Sequence, residues 1–442
     1  MAYKTIVVYL LLIFITFGVK GQIDTPEKGV SDQDKGQDSL LVHLTFTIDS
    51  LIENAISHQA FPGCVVFASQ NGQPFYKRRY GYHTYDSIRE VRLTDLYDLA
   101  SLSKTTGAML ALMKLYEWDL FDLDESLKEY VTGFNWDKRG RARIRDILTH
   151  QAGFQGWIKY YEKISLGSKG YRNKTIRSHG SEEYDFPVAD HMFLHKDFYR
   201  KIKKYIKRSP FNPDQGYKYS DLFFYLVPEI VKRQSGMEYQ EFLKYHFYDS
   251  LEAGSLCFNP DKYFDLDRVV PTEIDTFFRM EKIHGKVHDE GAILMHGVSG
   301  HAGLFSNVED LARVWQMLLN RGTLDGKIYL EPATIELFTS YQFPQNENRR
   351  GLGFDKPLLE YDPVISSISA YASVYSYGHT GFTGPIVWAD PLNDFLFIFL
   401  TNRVYPSREN KAIYDLNLRP ELHQLFYQYL QNSHLNLKKS KQ

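Results

Sequence analysis

The stretch Asp98-Leu99-Ala100-Ser101-Leu102-Ser103-Lys104 places a serine hydroxyl three residues before a lysine amine. Side chains at this spacing lie on the same face of a helical turn, so the amine can reach the hydroxyl. A serine hydroxyl is a weak nucleophile near neutral pH, and a neighbouring base activates it. Ser101 and Lys104 are therefore a candidate nucleophile and base, although an ordinary helix with a surface lysine would show the same spacing.

The residues around this pair predict a helix over residues 101–118. Its apolar positions recur with helical period and comprise Leu102, Ala108, Met109, Leu112, Met113, Leu115 and Tyr116. Ser101 would stand at the N-terminus of this helix, where backbone N–H groups and the helix dipole favour negative charge. Lys104 precedes small residues and would face inward, where burial lowers the pKa of an amine and lets it act as a base.

The composition narrows the classes of function. A chain of 442 residues can build two or three structural units around a large core. The formal net charge of −2 lacks the basic footprint of a nucleic-acid-binding protein. Aromatic residues make up 15% of the chain, which fits large cores and also a surface that stacks on sugars or binds peptides.

The N-terminus is typical of a secretory signal peptide. Lys4 precedes an apolar run over residues 6–19, and small residues follow near Gly21. We expect a signal peptide over residues 1–21, a flexible leader over residues 22–44, and a mature protein that is periplasmic or extracellular. The run is shorter than the roughly 20 residues of a membrane span, and an uncleaved anchor is the alternative.

Two hairpins predict the sheet. Apolar runs flank Asn71-Gly72 and indicate a hairpin over residues 63–82, because Asn-Gly favours a tight turn. Residues 385–389 and 395–400 predict a second strand pair near the other end of the chain. The region between is mostly helical. We therefore expect an α+β fold, in which an antiparallel β-sheet is flanked by helices and carries an inserted all-helical lobe over roughly residues 105–300.

Other features complete this prediction. Further helices are expected over residues 51–60, 143–150, 222–234, 308–320 and 420–430, a surface loop over residues 167–187, and a polar tail over residues 431–442. The two cysteines, Cys64 and Cys257, are expected to be unpaired and mostly buried. A reactive serine at the start of the first inserted helix would face the gap between the lobes, where pockets tend to lie.

Two later segments carry groups that would complete an acyl-transfer site. In Tyr219-Ser220-Asp221 the phenol and the carboxylate point the same way on an extended backbone. A phenol beside an ammonium can relay protons, although the same residues would also cap the following helix. In Gly378-His379-Thr380-Gly381-Phe382-Thr383-Gly384 the glycines let the backbone approach a ligand, and an edge strand could offer N–H groups to an oxyanion. A glycine-rich turn with a structural histidine is the alternative.

In this order, the three segments resemble the serine β-lactamases and penicillin-binding-protein-like hydrolases, nearest the class C branch. The family signatures are Ser-x-x-Lys, Tyr-x-Asn, and Lys-Thr-Gly or His-Thr-Gly. Flanking matches include Ile147-Leu148-Thr149-His150-Gln151-Ala152-Gly153 and Gly300-His301-Ala302-Gly303-Leu304-Phe305-Ser306. The resemblance covers about residues 45–430, which would form one β-lactamase-related domain.

The resemblance implies a role for each matching residue. Ser101 would be acylated, and Lys104 and Tyr219 would share the proton transfers. The backbone N–H groups of Ser101 and Phe382 would form the oxyanion hole. The remaining substrate-binding residues would be Asp221, His379, Thr380 and Gly381, with His379 and Thr380 holding a carboxylate or an equivalent polar group.

Two departures from the family pattern affect the expected substrate. Asp221 stands where the family usually has asparagine, so an acceptor replaces an amide donor unless the carboxyl is protonated or paired. His379 replaces a fixed cation with a group that ordinarily titrates near neutral pH, and we expect activity to change between about pH 6 and 7.5. Because β-lactams carry a carboxylate that needs donors, a D-amino-acid peptidase, carboxypeptidase or esterase is expected in preference to a β-lactamase.

Two other hypotheses compete with this one. His284-x3-His288 could bind zinc on a helix, near Asp289, Glu290, His296 and His301. A non-catalytic cell-wall-binding protein could also keep the fold.

The favoured interpretation, a serine hydrolase, needs no cofactor and no metal. The expected partner is a small-molecule or peptide substrate, such as one derived from the cell wall, and not a nucleic acid. The sequence does not set an oligomeric state.

Overall fold

A computed structural model describes residues 32–439 of the chain. The predicted signal peptide over residues 1–21 lies outside the described residues. Helix α1 begins at Asp32, so residues 32–44 are helical where the sequence predicts a flexible leader. At the other end, helix α13 reaches Lys439 and includes most of the predicted polar tail. In the described part of the chain, no helix is long and apolar enough to span a membrane.

The helices are numbered in chain order. They are α1 Asp32–Ser57, α2 Met109–Glu117, α3 Leu127–Tyr130, α4 Ile144–Leu148, α5 Tyr160–Ile164, α6 Tyr199–Arg208, α7 Val227–Ser235, α8 Tyr239–Leu243, α9 Glu290–Ile293, α10 Val308–Leu319, α11 Pro332–Thr339, α12 Ala412–Asp415 and α13 Leu418–Lys439. Two π-helical turns, Lys104–Ala108 and Lys244–Tyr248, adjoin α2 and α8.

The strands are also numbered in chain order. They are β1 Gly63–Gln70, β2 Gln73–Gly81, β3 Tyr97–Asp98, β4 Ile176–Arg177, β5 Phe186–Ala189, β6 Met192–Leu194, β7 Cys257–Phe258, β8 Leu304–Ser306, β9 Thr323–Leu324, β10 Lys327–Ile328, β11 Tyr377–Thr380, β12 Ile386–Asp390 and β13 Phe395–Thr401.

The main sheet has the order β11-β12-β13-β1-β2, and all its neighbours are antiparallel. Strand β1 pairs with β13 from Cys64 opposite Thr401 to Gln70 opposite Phe395, so the two predicted hairpins join one sheet. The predicted turn at Asn71-Gly72 is confirmed, and both residues have positive φ, as tight hairpin turns require.

Helices cover both faces of this sheet, which explains the unbroken apolar runs in its strands. Val65 and Phe67 of β1 join the core that includes α2 and α10. The alternate residues Cys64, Val66 and Ala68 pack with α1 and α13. Strands buried on both faces lose the alternation of apolar and polar residues. The predicted α+β class and the inserted helical lobe are confirmed.

One predicted loop is wrong in part. Residues 167–187 contain β4 and the start of β5, which form a small sheet with β6. The segment is polar on average, but Ile176, Tyr184 and Phe186 are buried. These scattered apolar side chains anchor the segment to the helical lobe without a period that the sequence reveals.

Both cysteines are free thiols, as predicted. Cys64 is buried and Cys257 is half-buried. Burial raises the pKa of Cys64 well above its ordinary value and that of Cys257 to about 12, so both remain protonated near neutral pH.

Candidate active site

Ser101 lies in a strained turn between β3 and the helix that leads into α2. Ala100 has φ of +46°, an unusual conformation for a residue with a side chain. Its N–H donates to Asp98 Oδ1 at 2.8 Å, and the Leu99 N–H donates to Leu304 O at 3.0 Å. These bonds hold the turn and leave Ser101 at the N-terminus of the helix, as predicted.

Lys104 lies one turn further on and is completely buried. Its Nζ is 2.8 Å from Ser101 Oγ, 2.7 Å from Asp221 Oδ1 and 3.2 Å from the His301 carbonyl oxygen. Three acceptors thus surround the three N–H bonds of an ammonium. The prediction that Lys104 faces inward beside Ser101 is confirmed.

The predicted lowering of the Lys104 pKa is wrong. Burial does act in that direction, but the carboxylate of Asp221 and the phenol of Tyr219 outweigh it, so the pKa of Lys104 is raised above its ordinary value. Burial alone would lower the pKa, but the contact between the amine and the Asp221 carboxylate joins residues 117 positions apart, which local spacing does not reveal. Lys104 therefore carries its proton in the resting site.

Tyr219 brings a second polar hydrogen to the serine. Its hydroxyl donates to Ser101 Oγ at 3.2 Å, and its ring lies with its centroid 5.2 Å from Lys104 Nζ. Burial raises the pKa of Tyr219, and the positive charge of Lys104 only partly opposes this effect. The phenol is therefore neutral near pH 7, and Ser101 Oγ accepts hydrogen bonds from both Lys104 and Tyr219.

Asp221 faces the amine and is only partly open to solvent. Its backbone N–H donates to Gly156 O at 2.8 Å, which holds the turn after Tyr219. Its carboxylate is 20% exposed and forms the ion pair with Lys104. The negative charge of Asp221, at the position where the family usually has asparagine, is thus neutralised by the buried ammonium of Lys104.

His379 is buried at the end of β11, with 2% of its surface exposed. Its Nδ1 is 2.7 Å from Thr380 O, so Nδ1 carries the hydrogen of this bond. No described group bonds to Nε2. Burial, aided by the charges of Arg350 and Lys104 and opposed by Asp355, lowers the pKa of His379 to about 4.

The expected titration of His379 between about pH 6 and 7.5 is therefore wrong. The exchange of a fixed cation for histidine leaves a neutral imidazole at this position above about pH 5. In that state Nε2 is a hydrogen-bond acceptor. A role for His379 in holding a substrate carboxylate stays a prediction.

The turn after β11 packs against the strand that leads to Ser101. A side chain at Gly381 would lie 2.7 Å from the Leu99 carbonyl oxygen, so only glycine fits there. Thr383 Oγ1 donates to the Asp98 carbonyl oxygen at 2.8 Å. Thr380 is half-buried, and Phe382 is 48% exposed. This close contact brings the Phe382 backbone beside the Ser101 turn.

The two backbone N–H groups assigned to an oxyanion hole are those of Ser101 and Phe382. Within residues 32–439, neither donates a hydrogen bond to another group of the protein. Free N–H groups at a helix start and a glycine turn are suited to bind a developing negative charge.

Three further residues support the site from behind Tyr219. The His150 ring centroid lies 4.6 Å from that of Tyr219, and His150 Nδ1 accepts from the Ser220 N–H at 3.1 Å. Arg350 Nη2 lies 3.3 Å from His150 Nε2, and Arg350 forms a buried ion pair with Asp355. Burial and the charge of Arg350 lower the pKa of His150 well below its ordinary value.

Only one of these residues lies in a recognisable sequence motif. His150 belongs to a flanking segment that matches the family, whereas Arg350 and Asp355 lie in a polar stretch without a motif. Arg350 and His150 are in contact although they lie 200 residues apart in the chain. Local spacing in the sequence does not reveal such a contact.

The alternative zinc arrangement does not form. Residues 284–288 are not helical, and three of the four histidines of this cluster have their own hydrogen-bond partners, whereas His296 Nε2 has none among the described residues. His284 Nε2 is 2.7 Å from Val269 O, His288 Nε2 is 2.8 Å from Glu273, and His301 Nε2 is 2.8 Å from Asp289. Among the described residues, no three side chains of metal-binding type converge.

A family model described as Beta-lactamase matches residues 48–419. The chain belongs to the β-lactamase family and is a serine hydrolase of that family. It is 28% identical over 407 residues to the N-acetylmuramyl-L-alanine amidase of Bacillus subtilis, covering 83% of this chain and 84% of the relative.

Other relatives carry peptidase names. A protein of Escherichia coli O157:H7, whose name proposes a D-alanyl-D-alanine carboxypeptidase, is 28% identical over 370 residues, covering 78% of this chain and 79% of the relative. Among solved structures, a simvastatin synthase mutant of Aspergillus terreus aligns with a TM-score of 0.62 at 17% identity, covering 92% of this chain and all of that one. That likeness supports the fold alone.

Proposed function

We propose that this protein is an exported serine hydrolase that forms an acyl-enzyme through Ser101 and acts as a D-amino-acid peptidase, carboxypeptidase or esterase. The observation that carries the proposal is the position of Ser101 Oγ, 2.8 Å from Lys104 Nζ and 3.2 Å from the Tyr219 hydroxyl. A nucleophile in contact with two proton-transfer groups, beside free backbone N–H groups, has the parts that acyl transfer needs.

The reaction would proceed in two halves. Ser101 Oγ attacks the substrate carbonyl carbon while its proton passes to the neutral amine of Lys104, either directly or through the Tyr219 hydroxyl, which gives up its own proton as it accepts that of Ser101. The N–H groups of Ser101 and Phe382 bind the carbonyl oxygen as it becomes an oxyanion. The intermediate collapses to the acyl-enzyme, and the leaving group departs with a proton from the same pair. Water then attacks the ester and restores the Ser101 hydroxyl.

The charge of Lys104 sets a condition for the first step. Because the resting ammonium cannot accept a proton, it must first release one, either to Asp221 across their 2.7 Å contact or to water. Deprotonation becomes easier as the pH rises, so we expect acylation to accelerate toward alkaline pH.

The choice of substrate follows from the two departures. Asp221 and neutral His379 present acceptors where a carboxylate, such as that of a β-lactam, needs donors. This supports an ester or an internal D-peptide bond, whose substrate offers N–H or O–H groups there, over a substrate with a free carboxylate at that position. The names of the amidase and carboxypeptidase relatives agree with peptides derived from the cell wall. A β-lactamase is the alternative within the same chemistry. The apolar run at residues 6–19 supports export.

Covalent labelling tests the proposal. A fluorophosphonate probe should add one adduct to the wild-type protein at Ser101, and Ser101→Ala should abolish it. Ser103→Ala is the matched control, because Ser103 lies on the same turn but its hydroxyl accepts from the Leu304 N–H; it should keep the adduct. An unlabelled wild-type protein, or equal labelling of Ser101→Ala, would contradict the acyl-enzyme.

A substrate panel tests the specificity. D-alanyl-D-alanine peptides, their L-L diastereomers, short-chain esters and a chromogenic cephalosporin would be compared, with Ser101→Ala as the blank. We expect the D-peptides or the esters to give the highest kcat/KM. The fastest turnover on the cephalosporin would instead assign the protein as a β-lactamase.

A further inference from the structure

Outside the Ser101 site, the helical lobe carries a strongly basic groove. It lies between α6 and the loop at residues 132–139 and has a volume of about 890 Å³. Five cationic side chains line it, against the two carboxylates of Asp137 and Glu229; the five are Arg200, Lys203, Lys204, Lys207 and Arg208. We call this feature the α6 groove.

The cations of the α6 groove form a row. Their positions on α6 follow the spacing that places side chains on one helical face, and the row extends for roughly 12 Å along the helix axis. Ile202 and Ile206 are buried on the opposite face. The fold therefore fixes the direction in which the basic face points.

Most of this charge is not neutralised within the protein. Lys203 pairs with Glu229 at 2.7 Å, and Arg200 lies 3.9 Å from Asp197. Within residues 32–439, no carboxylate lies within 4 Å of Lys204, Lys207 or Arg208. Like charges on successive turns repel one another, so an anionic partner would relieve this repulsion.

An exposed tryptophan stands beside the same groove. The loop is held on α6 by a 2.8 Å bond from Lys203 Nζ to Thr132 Oγ1 and by Lys207 Nζ, which lies 5.8 Å from the centroid of the Phe134 ring. Between Phe134 and Asp137, Trp136 is 98% exposed. Its neighbour Asp137 lines the α6 groove, and an indole exposed to water has the chemistry to stack on a sugar ring.

We propose that the α6 groove and Trp136 bind a linear anionic glycan, with the cations on its carboxylate or phosphate groups and the indole on a sugar face. A row of charges in a concave groove fits a chain better than a flat bilayer. The whole chain has a net charge of −2, so attraction to polyanions depends on local basic surfaces such as this one and not on the overall charge. Such binding would hold the enzyme on an anionic polymer independently of its chemistry.

Affinity measurements at several salt concentrations test this binding. The ligands are an oligogalacturonate, a phosphorylated mannan, a neutral dextran of similar length and vesicles rich in phosphatidylglycerol. The wild-type protein should bind one or both anionic polymers and not dextran, and added salt should weaken binding. The double variant Lys204→Gln/Lys207→Gln should bind about ten-fold more weakly, and Trp136→Ala about three- to ten-fold more weakly.

Control variants make the result decisive. Lys282→Gln/Lys411→Gln removes two exposed lysines outside the α6 groove and should bind as the wild type does. All variants should keep the wild-type melting temperature, which separates lost binding from lost folding. Equal binding to dextran, equal weakening by the control pair, or binding to the vesicles but to neither polymer would overturn the proposal; the last result would assign the surface to a membrane.

Discussion

Lys104 and His379 are two buried nitrogen bases near the same serine, yet they take opposite protonation states. Burial lowers the pKa of both groups. Lys104 has Asp221 at 2.7 Å, and its pKa is raised. His379 has a carbonyl oxygen on Nδ1 and no described partner on Nε2, and its pKa falls to about 4.

The comparison shows that a carboxylate in contact decides the charge, whereas a more distant one does not. Asp355 does raise the pKa of His379, but Arg350 neutralises Asp355 and lowers the pKa of His379. The site thus holds one charged amine and one neutral imidazole near pH 7. Its pH dependence should come from Lys104, and its acid sensitivity from His379.

The largest effect is expected from removal of the charged base. Lys104→Gln should reduce kcat/KM by about 10³–10⁴-fold, because proton transfer to and from Ser101 loses its nearest group. Steady-state kinetics on the best substrate of the panel measures this loss. Lys104→Gln also leaves the Asp221 carboxylate without its cation, which should lower the free energy of unfolding. The double variant Lys104→Gln/Asp221→Asn removes this carboxylate and should recover that stability without recovering turnover. Activity near the wild-type level in either variant would refute the role of Lys104.

A second prediction concerns the ion pair that screens His379. Arg350→Met leaves Asp355 with Arg349 as its remaining cation, at 3.1 Å, and the free energy of unfolding should fall by about 3–5 kcal/mol. The pKa of His379 should rise, because one cation is lost and Asp355 is neutralised by Arg349 alone. Urea denaturation and NMR titration of His379 measure the two effects.

Asp355→Asn provides the opposite control for this pair. It removes the carboxylate that raises the pKa of His379, so the pKa should fall further below 4. If neither variant shifts the pKa of His379, burial alone would keep the imidazole neutral, and the electrostatic explanation of its state would be refuted.

The third prediction follows from the pKa of His379 itself. An unfolded histidine has a pKa near 6.5 and the folded one about 4, so the unfolded state binds more protons between these values. His379 therefore stabilises the fold fully above pH 6.5 and progressively less as the pH falls to 4. Relative to His379→Gln, the wild type should lose about 3 kcal/mol of unfolding free energy between pH 7 and pH 4. Urea denaturation at several pH values would contradict this assignment if the difference stayed constant.

How far the sequence predicts this molecule depends on the range of the contacts. The Asn71-Gly72 hairpin and the helix after Ser101 rest on local patterns, and both are confirmed. The proximity of Lys104 and Tyr219 to Ser101 also followed from the sequence, through the order of the three motifs.

The protonation states could not be predicted in the same way. They depend on distances between residues far apart in the chain, such as Lys104 and Asp221, or His379 and Arg350. Burial was foreseen for Lys104, but the balance between burial and a 2.7 Å carboxylate is a property of the folded site. For the same reason, the sequence does not identify Arg350 and Asp355 as residues of the site.

The smallest expected effect isolates the partner that separates the two bases. Asp221→Asn removes the carboxylate that raises the pKa of Lys104 and leaves burial, which lowers it. If kcat/KM rises with pH as Lys104 loses its proton, the alkaline rise should move to lower pH by about one unit or more, equivalent to about 1.4 kcal/mol. The acid sensitivity due to His379 should stay unchanged, because Asp221 is not among the charges that set its pKa. If the alkaline rise in kcat/KM stays at the same pH, a group other than Lys104 limits acylation. The opposite protonation states of Lys104 and His379 would then be a property of the folded site that does not control its catalysis.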